Sequence, residues 1–289
     1  MWFVLSCAAA VSNAGYSVGV KFLPRYSGLE IATVSHIVCG LLALIMFMRL
    51  GLSVPTDRAF LFPAISTIIL NIIAAILLFT AIARSEISIS LPFLSLTPIL
   101  TAGLAYLMRG ELLTPVEIAG LILIVSGTFT IEARTARDFL YLGGARVFRN
   151  RGVTLVSIVA VIFGLSSVFD KNATLASDPM TFSTFSLAAR GVFFLLLAFV
   201  LISRGANSHS VNKWHMLLFA GMGILMFTEL LTQMWALTDA MVANVIAVKR
   251  LGMLVTSVAG FVVFKEKFTY ARAAGIGMMI SGSILIYYG

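Results

Sequence analysis

Four ionisable residues stand inside long apolar stretches of this chain: Arg190, Glu229, Lys249 and Arg250. A charge near the centre of a bilayer costs about 2.5–3.5 kcal/mol on insertion scales, so such a group is paired, faces a polar cavity or carries function. Glu229 and Arg250 lie symmetrically about the short connection at Asp239-Ala240, and Arg190 and Glu229 lie symmetrically about the connection at 204–213. Antiparallel helices around those turns put all three at one level, roughly 15 Å from the Asp239 turn. Two readings follow. One is a structural ion pair, Glu229 with Arg250 or Arg190, that ties three helices together. The other is a cavity lining in which three cations face one carboxylate. That surplus favours an anionic group on a small solute, with Arg250 or Lys249 as its anchor and Glu229 tuning the charge or carrying a coupled proton. Lys249 and Arg250 are neighbours, about 100° apart on a helix, so they are not expected to face the same cavity together.

Uncharged polar residues share these stretches: Asn13, His36, Asn71, and Gln233 one turn beyond Glu229. Each is either a clamp on the solute or a hydrogen-bonding link between helices. His36 has no second His, Cys or acid at ligand spacing, so a metal site is not expected. No phosphate-binding loop is present either, which points away from ATP coupling and from any bound cofactor. Pro92 and Pro98, in L-P-F-L-S-L-T-P, each remove a backbone donor and predict a kink that could serve as a gate. The residues 155 positions later, Ala247 and Met253, are not prolines, so the two regions are expected to bend differently.

The elements that carry these residues follow from composition. Of 289 residues, 60% are hydrophobic and only 11% charged, and the mean hydropathy is +1.04. A soluble domain needs about 25% charged residues to stay solvated. This composition is that of a multi-pass membrane protein. Ten stretches have the roughly 20-residue length of a membrane helix. They cover Trp2–Leu23, Leu29–Leu50, Ala59–Ala83, Ile87–Met108 and Pro115–Ile131, then Gly152–Asp170, Pro179–Ser203, Trp214–Thr238, Val242–Phe264 and Thr269–Tyr288. Between the two sets lies a basic segment, 133–151, read as an interfacial linker. The net charge of +8 sits mostly in short connections, where it meets anionic lipid headgroups rather than nucleic acid. Cys7 and Cys39 fall inside apolar runs and predict neither a disulfide nor a zinc site. The first stretch has no basic leader and reads as a retained helix.

Each set closes on the same phrase. Glu111–Gly127 and Glu266–Gly282, 155 residues apart, share Glu111/Glu266, Thr114/Thr269, Ala119/Ala274, Gly120/Gly275, Ser126/Ser281 and Gly127/Gly282. The chain therefore divides into 1–132 and 152–289. Five spans is an odd number, so two copies of such a unit lie upside down to each other: ten transmembrane helices as two inverted five-helix repeats around a central cavity. The glycines at seven-residue spacing form a small-residue strip, a scaffold either within a half or at a homodimer seam. Glu111 and Glu266 stand at span ends beside Arg109 and Lys265/Lys267 and read as caps or interfacial ion pairs. Of 17 basic residues in connections, 13 lie on the side opposite the termini, which places both termini outside the cytoplasm.

The Glu-x-x-Thr-x4-Ala-Gly-x5-Ser-Gly phrase, with Asp170-Lys171 and Phe264-Lys265-Glu266-Lys267, resembles the EamA family of the drug/metabolite transporter superfamily. The resemblance runs over essentially the whole chain. It implies a secondary transporter in the cell (inner/plasma) membrane that moves an amino acid, organic anion or drug-like solute by alternating access, most often outward. It also implies cytoplasmic termini, against the charge count, so the orientation stays open. An intramembrane prenyl- or phospho-transferase would need clustered acids, and the 12 acidic residues are scattered. A non-transporting receptor or scaffold is the remaining alternative.

Overall fold

A computed structural model describes residues 1–84, 91–132, 150–203, 212–265 and 269–289. Most of the expected linker, together with Glu266 and Lys267, lies outside the described residues. Within them every element is helical: α1 (Trp2–Lys21), α2 (Gly28–Arg49), α3 (Arg58–Arg84), a 3-10 turn (Leu91–Leu96) running into α4 (Thr97–Arg109), and α5 (Pro115–Glu132). The second half has α6 (Arg151–Leu175), α7 (Pro179–Ser203), α8 (Lys213–Asp239), α9 (Val242–Lys249), α10 (Gly252–Val262) and α11 (Tyr270–Tyr288). Among the described residues, seven helical stretches are long and apolar enough to cross a membrane, with Val242–Val262 counted as one; Phe93–Arg109 and Pro115–Ile131 are apolar but shorter. The expected ninth span is thus interrupted, and the described part of the fourth begins as a 3-10 turn.

Local chemistry sets the helix starts. Ser27 caps α2: its Oγ accepts the Glu30 N–H at 3.2 Å, while Glu30 Oε2 accepts the Ser27 N–H at 2.6 Å. Thr114 does the same for α5, with Glu117 as its reciprocal partner at 3.1 and 2.7 Å. In the second copy, Thr269 Oγ1 accepts the Arg272 N–H at 3.3 Å and caps α11. The repeated threonine is an N-cap in both copies, a contact worth about 1 kcal/mol each. Three pairs of helix starts, Arg58/Lys213, Thr97/Gly252 and Pro115/Tyr270, carry the same 155-residue offset as the repeated phrase.

The halves interlock. α5 packs on α11 and α2 on α7, so equivalent helices meet, while α1 packs on α8 and α6 on α3 in a reciprocal exchange. At the first of these contacts the repeated glycines face one another. A Cβ on Gly120 would stand 2.6 Å from the Gly282 carbonyl oxygen, and one on Gly282 would stand 2.5 Å from that of Gly120. Gly127 and Gly275 repeat the relation at 2.7 and 2.6 Å. The register falls along one helix as it rises along the other, so α5 and α11 run antiparallel. Gly40 and Gly191 touch likewise between α2 and α7, where a Cβ on either would lie 2.6–2.7 Å from the other's Cα. Lipid tails are as apolar as leucine, so helix association inside a membrane rests on such close backbone approach. The small-residue strip therefore joins the two halves of one chain, which corrects the expectation of a seam within a half or between two chains.

Candidate functional site

The break between α9 and α10 occurs at Lys249–Leu251, and no proline makes it. Through it the backbone tightens to i→i+3 bonds: Arg250 N–H to Ala247 O at 3.0 Å, Leu251 N–H to Val248 O at 2.9 Å, and Met253 N–H to Arg250 O at 2.9 Å. Gly252 allows the close approach that follows, since a Cβ there would lie 2.5 Å from the Ala10 carbonyl oxygen of α1. The first half breaks at the same register, with α4 beginning at Thr97 and α10 at Gly252. Ahead of it the halves differ, a 3-10 turn over Leu91–Leu96 standing where α9 is α-helical to Lys249. Pro98 sits in the first turn of α4, where a missing N–H costs little, so it starts a helix rather than kinking one. Pro92 lies within the 3-10 turn ahead of it.

Lys249 and Arg250 part at this break. The Lys249 ammonium stands 2.6 Å from Glu229 Oε1 and donates to Gln233 Oε1 at 2.6 Å. Glu229 also accepts from Asn13 Nδ2 at 3.0 Å, which brings α1 into the cluster. Arg250 reaches the other way and donates from Nη2 to the Leu94 carbonyl at 2.7 Å. Leu94 is the repeat counterpart of Lys249, so the guanidinium bridges one broken span to the other. The ion pair of Glu229 thus forms with Lys249, where the sequence pointed to Arg250 or Arg190. Lys249 lies seven residues into α9 and Glu229 ten from the end of α8, about 10 and 15 Å from the edge and near the middle of a roughly 30 Å hydrocarbon core. Their side chains are 25% and 16% exposed. Charge at that depth is costly against hydrocarbon, and pairing offsets that cost here.

Arg190 hydrogen-bonds Ser186 on its own helix, from Nη2 to Oγ at 3.2 Å and from Nε to the carbonyl at 3.4 Å. His36 donates from Nδ1 to the Ala32 carbonyl at 2.8 Å and stacks on Phe194 with ring centroids 4.2 Å apart. Its own carbonyl lies 3.1 Å from where a Cβ on Gly191, the residue after Arg190, would stand. Asn71 belongs to a different group. Its Nδ2 donates to Ser166 Oγ at 2.6 Å across the α3–α6 contact, and Thr67 Oγ1 donates to Asp170 Oδ1 at 2.6 Å beside it.

Asp170 is the residue that sequence reading missed. Its place five residues before the end of α6, next to Lys171, suggested the membrane edge. The side chain is buried instead, 6% exposed. Lys171, buried too at 8% exposed, meets Glu111 instead. Its Nζ donates to Glu111 Oε1 at 2.8 Å and to the Ala240 carbonyl at 2.9 Å. Arg109 Nε donates to the same Oε1 at 2.9 Å, and Arg109 Nη1 also donates to Asn172 Oδ1. Glu111 Oε2 accepts the N–H of Val242, the first residue of α9, at 2.8 Å. The repeated acid therefore clasps the α4–α5 and α8–α9 connections to the end of α6. Burial raises the Glu111 pKa, and the Lys171, Val242 and Arg109 donors outweigh it, so the carboxyl titrates below its ordinary value.

Interlocked apolar halves, helical throughout the described residues and broken at matching registers around buried charge, have the build of a multi-pass membrane protein. A sequence model of the EamA-like transporter family matches residues 1–132 and 150–288. The chain belongs to that family, with its two-repeat architecture and its membrane setting. A solved crystal structure shares the fold, with a TM-score of 0.81 over 98% of this chain and 95% of that one at 15% identity. No curated protein matches the sequence.

Proposed function

We propose that this protein is a secondary active transporter of small organic solutes bearing a carboxylate or similar anionic group, and that it works outward across the cell membrane. The observation that carries the reading is the Glu229–Lys249 pair at 2.6 Å. It sits at the break of a membrane span, is fixed by Asn13 and Gln233, and is partly exposed. Discontinuous helices meeting near mid-membrane are where inverted-repeat transporters hold their substrates. With Asp170 included, the deep charges are three cations (Arg190, Lys249, Arg250) and two carboxylates. The surplus cation suits one carboxylate of an amino acid or organic anion. In this scheme Lys249 or Arg250 anchors the solute, and Glu229 holds the empty site neutral by occupying Lys249.

The topology we assign is ten spans in two inverted five-helix repeats, 1–132 and 152–289. The antiparallel contact of the equivalent helices α5 and α11 supports it. So does the reciprocal pairing of α1 with α8 and of α6 with α3. Alternating access then amounts to rocking one half against the other about the glycine contacts. The Glu111 clasp would hold one end closed while the other opens. The direction of transport follows from the family resemblance.

Two measurements test this reading. Comparing metabolites in the medium of deletion and overexpressing cells names the solute. Saturable, gradient-dependent flux of that solute in proteoliposomes supports transport, and binding without flux would favour a receptor.

A further inference from the structure

A groove of about 530 Å³ lies between α3, α4 and α6, away from the Glu229–Lys249 cluster. Its lining is graded along the membrane normal. Arg58 is the first residue of α3 and Arg109 the last of α4, so both guanidinium groups stand at the same edge of the bundle. One turn inward from Arg58 is Phe62, 66% exposed, whose ring meets Phe169 edge-on at 5.8 Å. Ala59, Asn172 and apolar side chains of all three helices line the rest.

The charge at the polar end is not cancelled. Arg58 is exposed and makes no ion pair among the described residues. Asp57 Oδ1 caps α3 through the Phe60 N–H at 2.8 Å and Glu111 is shared among Arg109, Lys171 and Val242, so Arg58, Arg109 and Lys171 stand against two carboxylates and this edge keeps one net positive charge. Arg109 spends two of its five N–H donors on Glu111 and Asn172. What remains is cationic at headgroup level and aromatic one turn deeper.

We propose that this groove is a binding site for one anionic phospholipid, its phosphate between Arg58 and Arg109 and an acyl chain along Phe62 and Phe169. Basic pockets between membrane helices recognise such headgroups, and each cation near an anionic headgroup contributes roughly a fivefold preference over a neutral one. The lipid would bridge α3 of the first half to α6 of the second, beside the Glu111 clasp, and would brace that end of the bundle.

The test is photolabelling of the purified full-length protein in mixed micelles with a photoactivatable phosphatidylglycerol, with mass spectrometry of the labelled peptides. Label is expected on the peptides carrying Phe62 and Phe169. It should fall roughly fivefold in Arg58→Gln, and it should be lost in Ala59→Trp, which fills the groove without changing its charge. Unlabelled phosphatidylglycerol should compete, while phosphatidylcholine and inorganic phosphate should not. Unchanged labelling in both variants, equal competition by phosphatidylcholine, or displacement by phosphate alone would each overturn the proposal. Because labelling needs no solute, its outcome is independent of the transport reading.

Discussion

Lys249 Nζ and Glu229 Oε1 lie 2.6 Å apart, an ion pair that ties the broken ninth span to α8 near its middle. Lys249→Gln leaves a carboxylate facing only amide donors, and Glu229→Gln leaves a cation without a counter-charge. Each is expected to destabilise the protein by about 1–3 kcal/mol, less than a fully buried pair because both side chains are partly exposed. The double variant Glu229→Gln/Lys249→Gln should recover most of that stability while flux stays at least about tenfold down. Thermal unfolding and flux measured on the same preparations separate the two roles. Recovery of both in the double variant would make the pair purely structural.

The α5–α11 seam has no room for a side chain at Gly120 or Gly282. Gly120→Val is expected to cost about 1–3 kcal/mol or more, since the atom it meets is backbone and cannot swing away. Gly277 lies on α11, as Gly282 does, with nothing within 4 Å of its would-be Cβ. Gly277→Ala should therefore be neutral or gain a few tenths of a kcal/mol from helix propensity. Equal melting temperatures for the two variants in detergent would rule out the seam as described.

Glu111 is held below its ordinary pKa by the three donors that overcome its burial. A carboxyl whose folded pKa is depressed contributes stability above its unfolded value and loses it as pH falls through the folded one. Wild type should therefore melt above Glu111→Gln at neutral pH, and the gap should close on acidification below the carboxylate range. A gap that is constant with pH would mean that the charge of Glu111 contributes nothing to the clasp.

Much of this fold was legible because repetition is a pattern in the letters themselves. Gly120/Gly275 and Gly127/Gly282 announced close packing, and Thr114-Pro-Val-Glu117 carries the S/T-x-x-E form of a helix N-terminus in plain view. What the glycines packed against was not legible, because nothing in one strip says that its partner is its own copy in the other half. The break at Lys249–Leu251 was hidden for a related reason. It stands beside the Gly252 contact with α1 and no proline marks it, and tertiary contacts leave no local signature. Hairpin symmetry put Arg190, Glu229 and Arg250 near one level, yet depth does not choose between Arg250 and its neighbour Lys249, which point about 100° apart. The same ambiguity concealed Asp170: read with Lys171 as one edge pair, the two turn in different directions, one inward and one to the clasp.

The central claim is that the cations at the α9–α10 break hold the anionic group of a transported solute. The most direct measurement is saturable, gradient-driven flux of the medium-identified solute in proteoliposomes of wild type, Lys249→Gln and Arg250→Gln, each verified as folded and inserted. Wild type should transport, and at least one of the two variants should lose about tenfold or more in kcat/KM, with the loss greatest for substrates that keep their carboxylate and smallest for the corresponding amides. Wild-type flux in both variants would contradict the account.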